Sequence, residues 1–237
     1  PKSKYFDIYT VIRRRIEDEH YTDMLPSENE LTLEFNCSRN TIRRAIQLLV
    51  SDGYVQSIHG KGVMVIYTPY SKEQYTLGKV ESFSEAAVRN RTDTKTQVIL
   101  FSELTVDERI RRRTGFENGV QIYYIQRVRY INGEAVIIDH NYFLKDIVKD
   151  LTEDIAKGSI YDYIENTLGI NIVTTKRVFT VQKINEKDEK YLNLNGCNCV
   201  AVVENYTYNS DGIMFEVTQS RHSPTYFEFH DVATRNK

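Results

Sequence analysis

Long apolar runs are missing from these 237 residues, and so is the charged, apolar, small-residue succession of a signal peptide at the start. A helix needs about 20 mainly apolar residues to cross a bilayer, so no membrane role is expected and the chain should stay in the cytosol. Cysteine is scarce, and Cys37, Cys197 and Cys199 form an odd set without the spacing of a disulfide framework. Cys197-Asn198-Cys199 would hold a metal only if further ligands converged, and no nearby histidine pair offers them. Nucleophile and base pairs, metal clusters and phosphate-activating loops are equally absent, so neither catalysis nor a cofactor is expected. A large excess of one charge is lacking too: the net charge is −2, which at first argues against a nucleic-acid partner.

The residues that are present make up an ordinary globular composition, 41% apolar and 27% charged, in a chain long enough for two modest domains. Within the first 68 residues the charges are segregated. Glu17, Asp18, Glu19, Asp23, Glu28, Glu30 and Glu34 come first, and Arg39, Arg43, Arg44 and Lys61 follow with only Asp52 among them. The local field, not the total, decides what such a surface attracts.

Residues 5–20 place Ile8, Ile12 and Ile16 four apart, on one helical face that leaves Arg13, Arg14 and Arg15 mostly outside. Ser27 and Glu30 have the spacing of a capping box, which predicts a short helix from about Glu28 to Phe35 with Leu31 and Phe35 inward. Ser38 caps another helix. There Ile42, Ala45, Ile46 and Leu49 turn inward, while Arg39, Asn40, Arg43, Arg44 and Gln47 occupy the adjoining polar arc. A hairpin over Tyr54 to Ile66 carries His59, Gly60, Lys61 and Gly62 at its tip. Helix, turn, helix and glycine-tipped hairpin, in that order, predict a winged helix-turn-helix, a unit suited to double-stranded DNA. A recognition helix enters the major groove by its first turns and arginine bonds guanine bidentately, so Arg39 and Arg43 are placed to read bases. Ser38 and Thr41 suit phosphate oxygens at the helix start. His59, Gly60 and Lys61 are expected at the adjacent minor groove, where glycine permits close backbone approach and lysine neutralises a phosphate.

Residues 67–80, with Pro69, Ser71 and Gly78, show no clear period. Domains are therefore expected at 1–68 and 80–237, with 69–79 as linker. The second domain is strand-rich: Thr96 to Leu104, Val120 to Tyr130, Glu134 to Phe143, Ile172 to Lys183, Cys199 to Tyr208 and Ile213 to Arg221 are β-branched and aromatic runs. Asn132-Gly133 and the stretch from Asn209 to Gly212 supply hairpin turns. Val106 to Arg113 and Ile184 to Leu192 are short helical segments, each before one strand pair. Strand, helix and hairpin used twice predict one antiparallel sheet with pseudo-twofold symmetry and pockets where the halves meet.

Chemistry in this half points to anions. Arg127 and Arg129 lie two apart on one strand face and can clamp a phosphate. Ser159 is placed to cap a helix at Lys157-Gly158-Ser159-Ile160-Tyr161, and Ser84 to begin another. Asp139, Tyr161, Tyr206 and Glu216 offer the acceptors and aromatic walls that sugar hydroxyls require. From the residues alone, the arginines could equally pair with acids across the sheet and Ser159 could do no more than cap its helix.

Leu25-Pro26-Ser27-Glu28, then Ser38-Arg39-Asn40-Thr41-Ile42-Arg43, then Gly60-Lys61-Gly62 resemble the head of the GntR family of bacterial transcription regulators, over about residues 5–66. Asn29 departs from it, standing where members often carry a DNA-contacting arginine. The remainder, about residues 79–233, resembles the effector-binding domain of the HutC subfamily. That implies an α+β chain, a winged helix-turn-helix joined to a chorismate-lyase-like antiparallel sheet with helices. It also implies that Phe83, Ser84, Arg127, Arg129, Ser159, Tyr161 and Glu216 surround a sugar phosphate. Val136 to Phe143, Ser159 to Glu165, Ser220-Arg221-His222 and Phe227 to Asp231 are similar to the trehalose-responsive repressors of that subfamily, which implies trehalose 6-phosphate as inducer. Amino-sugar-phosphate sensors share the clamp, so Asp139 and Glu216 are where sugar identity should be decided. A homodimer on a palindromic operator is implied. The alternatives are the same regulator sensing an amino-sugar phosphate or an organic acid such as urocanate, and an enzyme built on the sheet.

Overall fold

The computed structural model describes residues 3–68, 75–76, 83 and 93–230. They fall into two compact units, divided between residues 68 and 75. Most of the expected linker, the expected domain start near Val80 and Ser84 lie outside the described residues.

The first unit runs α1 (Lys4–Glu17), α2 (Glu28–Glu34), α3 (Arg39–Ser51), β1 (Val55–Ile58) and β2 (Gly62–Val65). Ile8, Tyr9, Ile12 and Ile16 of α1 close over Leu25, Leu31, Ile42, Ala45, Ile46, Leu49 and Val55, making one core. α1 stops short of the expected His20. Asp18 N–H bonds back to the Arg14 carbonyl at 2.8 Å and Glu19 takes φ 60°, which ends the helical path. Ser27 and Glu30 form the capping box, with Ser27 N–H donating to Glu30 Oε2 at 2.7 Å. Ser38 caps α3 by accepting the Thr41 N–H at 3.2 Å. Between β1 and β2 the chain turns through Gly60 at φ 71° and Gly62 at φ 113°, values that a side chain resists.

The second unit holds β3 (Tyr75–Thr76), β4 (Thr94–Thr105), α4 (Glu108–Thr114), β5 (Gln121–Ile131), β6 (Glu134–Leu144), α5 (Glu153–Ala156), α6 (Ile160–Asp162), a π turn (Tyr163–Thr167), β7 (Ile172–Lys183), α7 (Glu186–Tyr191), β8 (Cys199–Asn209), β9 (Met214–His222), a 3-10 turn (Pro224–Tyr226) and β10 (Phe229–His230). Six strands form one antiparallel sheet in the order β4-β5-β6-β9-β8-β7, and β3 pairs with β10 in parallel. The order is palindromic: each half is a strand, a capped helix and a hairpin, and β6 meets β9 in the middle. The expected duplication is therefore present. Asn132 (φ 50°) and Gly133 (φ 84°) make the first hairpin turn, both left-handed as a two-residue turn with the sheet's twist requires.

Helices cover both faces. Against one lie the core residues of α5, α6 and the preceding loop, where Val148, Leu151, Ala156, Ile160 and Ile164 pack on Tyr123, Ile125 and Phe143. The other carries α4, through Val106, Ile110 and Phe116 on Ile122, Tyr142 and Val217, and α7, through Tyr191 and Leu192 on Val128, Ile138, Val200 and Val202. α7 is fastened by a buried ion pair. Arg221 on β9 donates from Nε to Asp188 Oδ1 at 2.8 Å and from Nη2 to Oδ2 at 2.7 Å, and Nη1 reaches Gln182 Oε1 at 2.7 Å.

Candidate functional site

On the first unit, α3 and the hairpin tip hold the expected DNA-binding residues. Arg39, Asn40, Arg43, Arg44 and Gln47 are exposed along α3, and His59, Gly60 and Lys61 are exposed at the tip. They are not equivalent. Arg39 has no protein partner among the described residues, whereas Arg44 lies over the Tyr5 ring at 4.1 Å, a contact that fastens α3 to α1. Ser38 and Thr41 are joined by their hydroxyls at 2.9 Å within the cap. Arg43 donates its Nε to both oxygens of Glu28, each at 3.0 Å.

On the second unit, the palindromic sheet order brings a row of polar side chains onto the face that α5 and α6 cover. β5 supplies Arg127 and Arg129, β6 Asp139 and Asn141, β9 Glu216, Thr218 and Ser220, and β8 Thr207. Arg129 Nε donates to Asp139 Oδ2 at 2.8 Å and its Nη1 to Thr96 Oγ1 at 2.7 Å, while the Phe83 ring lies 4.9 Å from its guanidinium carbon. Arg127 Nε donates to Asn141 Oδ1 at 2.9 Å, its Nη1 reaches the Ala156 carbonyl at 3.4 Å, and its Nη2 stands 3.9 Å from Asp139. Ser220 Oγ donates to Asp139 Oδ1 at 2.6 Å. Glu216 accepts from Thr218 Oγ1 at 2.7 Å and from the Tyr161 hydroxyl at 2.7 Å. Ser159 opens α6 by accepting the Asp162 N–H at 3.2 Å, but α6 has only three residues before the π turn.

Phe83, Arg127, Arg129, Asp139, Tyr161 and Glu216 thus belong to one connected set, and Ser159 starts the turn that carries Tyr161. Tyr206 does not join them. It pairs with Val217, points to the α4 side and bonds Glu204 at 3.2 Å, and its neighbour Thr207 holds the place beside Glu216. Asn141, Thr218, Ser220 and Thr207 were missed. The first three continue the every-second-residue rows begun by Asp139 and Glu216, a signal available in the sequence.

A family model described as "Bacterial regulatory proteins, gntR family" matches residues 4–65, and one described as "UTRA domain" matches residues 89–228. The chain belongs to the GntR family, with a UTRA domain as its second half. The HTH-type transcriptional regulator TreR of Bacillus subtilis (strain 168) is 35% identical over 99% of either chain, and GmuR of the same organism is 27% identical over 93% of this chain and 94% of its own. The crystal structure of YydK from Bacillus subtilis matches with a TM-score of 0.81 at 26% identity, covering 98% of this chain and 100% of that one. The effector-binding domain of B. subtilis TreR matches with a TM-score of 0.55 at 35% identity, covering 60% of this chain and 99% of that one. These similarities establish a DNA-binding head and an effector-binding domain with the chorismate-lyase-like sheet. No described helix of this GntR-family regulator is long and apolar enough to cross a membrane.

Burial and neighbouring charges shift the ionisable groups of the effector-domain set. Burial brings Arg127 down to about 9, assisted by Arg129 and opposed by Asp139, so it stays protonated at neutral pH. Burial would raise Asp139, but Arg129 and Arg127 outweigh it and hold the carboxyl below its usual value. Glu216 goes the other way: burial raises it in spite of its bonds to Thr218 and Tyr161. Enclosure and the Glu216 carboxyl together push the Tyr161 hydroxyl well above its usual value. Asp139 is within ion-pair distance of both guanidiniums, 2.8 Å from Arg129 and 3.9 Å from Arg127, while Glu216 accepts from two hydroxyls.

Two buried histidines set an acid limit. Burial lowers His140 and His222 to about 4, and Arg113 and Lys187 add to the effect at His140. Both are neutral in the fold, and the unfolded chain binds their protons from about pH 6.5 downward. Their contribution to stability is thus complete above about pH 6.5 and is lost as pH falls towards 4, by up to about 3 kcal/mol each. Asp139 acts in the same sense and Glu216 in the opposite one. Urea unfolding at about pH 7.5 and 5 should show a clear loss for the wild type and a shallower one for His222→Gln; equal slopes would disprove the assignment.

Proposed function

We propose that this regulator is a cytoplasmic transcriptional repressor, without enzymatic activity, that binds a palindromic operator as a homodimer and leaves it on binding a sugar phosphate. Trehalose 6-phosphate is the first candidate. The observation that carries the reading is the buried Arg127 and Arg129 pair beside Asp139, in a row of hydroxyl and amide side chains suited to a sugar. The 35% identity to TreR over nearly the whole chain supports the ligand class. The head comprises residues 1–68, the linker 69–79 and the effector domain 80–237. Arg39 and Arg43 read base edges, Ser38, Thr41 and Lys61 meet phosphates, Asn40, Arg44, Gln47 and His59 flank them, and Gly60 permits close approach. Ser84 and Ser159 are assigned to effector binding. For the dimer, β7 offers an edge strand with Val173, Val178, Phe179 and Val181 exposed, the kind of surface a second copy covers.

The test is a fluorescence-anisotropy titration of the full chain on a palindromic fragment from its own promoter region at fixed salt, with and without trehalose 6-phosphate. Binding released by trehalose 6-phosphate and not by trehalose supports the reading. Release only by glucosamine 6-phosphate or urocanate keeps the regulator and removes the trehalose assignment. Absence of tight binding removes the repressor.

A further inference from the structure

We infer that Glu28 is a positioning residue for DNA sequence reading: it holds Arg43 by the Nε edge so that the two Nη groups are presented to a base and kept from the phosphate backbone. This rests on the reading of Arg43 as a base contact. The geometry is specific. Glu28 is the first residue of α2, set there by the Ser27 cap, and Arg43 lies one turn into α3. Both carboxylate oxygens stand 3.0 Å from the single Arg43 Nε, and no described residue bonds either Nη. A carboxylate facing the Nη pair would occupy the fork that a guanine needs; one facing Nε leaves that fork open.

Two consequences follow from the charge. An unrestrained arginine on an exposed helix has phosphates within reach as well as bases, and a phosphate contact carries no sequence information. The Glu28–Arg43 pair is neutral as a unit, so it is drawn to a phosphate less than a lone arginine is, whereas hydrogen bonds to guanine O6 and N7 remain. Its rotamers are also restricted before DNA arrives, which lowers the ordering cost of the specific contact. Glu28 lies on α2 and is half-buried, so it accomplishes this without being on the polar arc of α3.

The experiment uses the full chain and a duplex selected by the wild type from a random-sequence library, together with single-position variants of that duplex and an unrelated duplex. For the wild type, changing the base pair read by Arg43 costs about 5- to 150-fold in affinity. Arg43→Ala abolishes that penalty at its own position and leaves the others. Glu28→Gln, which retains size and the α2 start, reduces the same penalty to a few-fold, strengthens binding to the unrelated duplex, and steepens the log–log salt slope by about one phosphate. In the Arg43→Ala background Glu28→Gln leaves every base penalty unchanged. A mere loss of folding would weaken all duplexes together and would show in thermal melting. If Glu28→Gln keeps the full penalty while Arg43→Ala removes it, the role of Glu28 is overturned and Arg43 stands. Where Arg43→Ala itself spares every base penalty, the base contact and the positioning role fall together.

Discussion

Arg127→Ala should weaken sugar-phosphate binding by about 30- to 1,000-fold, the loss expected when one member of a buried charge contact is truncated. Operator binding without effector should remain within a factor of about two, because Arg127 is on β5 of the effector domain and the recognition helix is in the other unit. The fold should tolerate the change: Asp139 keeps Arg129 and Ser220, and Asn141 keeps Thr218. Arg127→Lys should recover only part of the loss, since an ammonium is a point charge and cannot reproduce the planar fork. Calorimetric titration with trehalose 6-phosphate, and release of labelled operator by it, measure both effects. Unchanged release in the alanine variant would move the phosphate away from Arg127.

The largest stability change is expected elsewhere, at Arg221. Its guanidinium makes four hydrogen bonds, two to Asp188, one to Gln182 and one to the Lys183 carbonyl, and both ion-pair partners are buried. Asp188 also accepts the Asn185 N–H that starts α7. Arg221→Ala leaves a carboxylate buried without its cation, which costs about 3–5 kcal/mol and lowers the melting temperature of the effector domain by roughly 6–20 °C. Replacing both residues by hydrophobic side chains of similar volume should recover much of it, because an ion pair desolvated on both sides gains little over apolar packing. Differential scanning calorimetry separates the two variants. A loss under about 1 kcal/mol in the single variant would show that water reaches Asp188.

The head was legible because its signals are local. Capping residues sit within three positions of the N–H groups they accept, and the positive φ of Gly60 and Gly62 needs only the hairpin itself. The strands of the sheet were legible for the same reason, through alternation. What was hidden required partners distant in sequence: Ser220 and Asp139 are 81 positions apart, and only the β6–β9 pairing brings them together. Tyr206 shows how little separates a correct side from a wrong one. In a strand of period two, the neighbour Thr207 takes the opposite face, and composition cannot say which of the two turns to the arginines. The Glu28–Arg43 pair spans two helices and was equally out of reach, although each residue lies in a motif that was.

The palindromic strand order has a last consequence. A scaffold with two matching halves would accept a two-headed guest either way round, yet the halves are furnished unequally: β5 carries two guanidiniums, Arg127 and Arg129, where β7 places one, Arg177, on the same face, and β8 and β9 bring hydroxyls and Glu216. A guest charged at one end and neutral at the other is therefore given a heading. For the proposed sugar phosphate, the charged end is expected at the first half and the hydroxyl-rich end at the second, so a disaccharide with identical rings would be distinguished by which ring bears the charge.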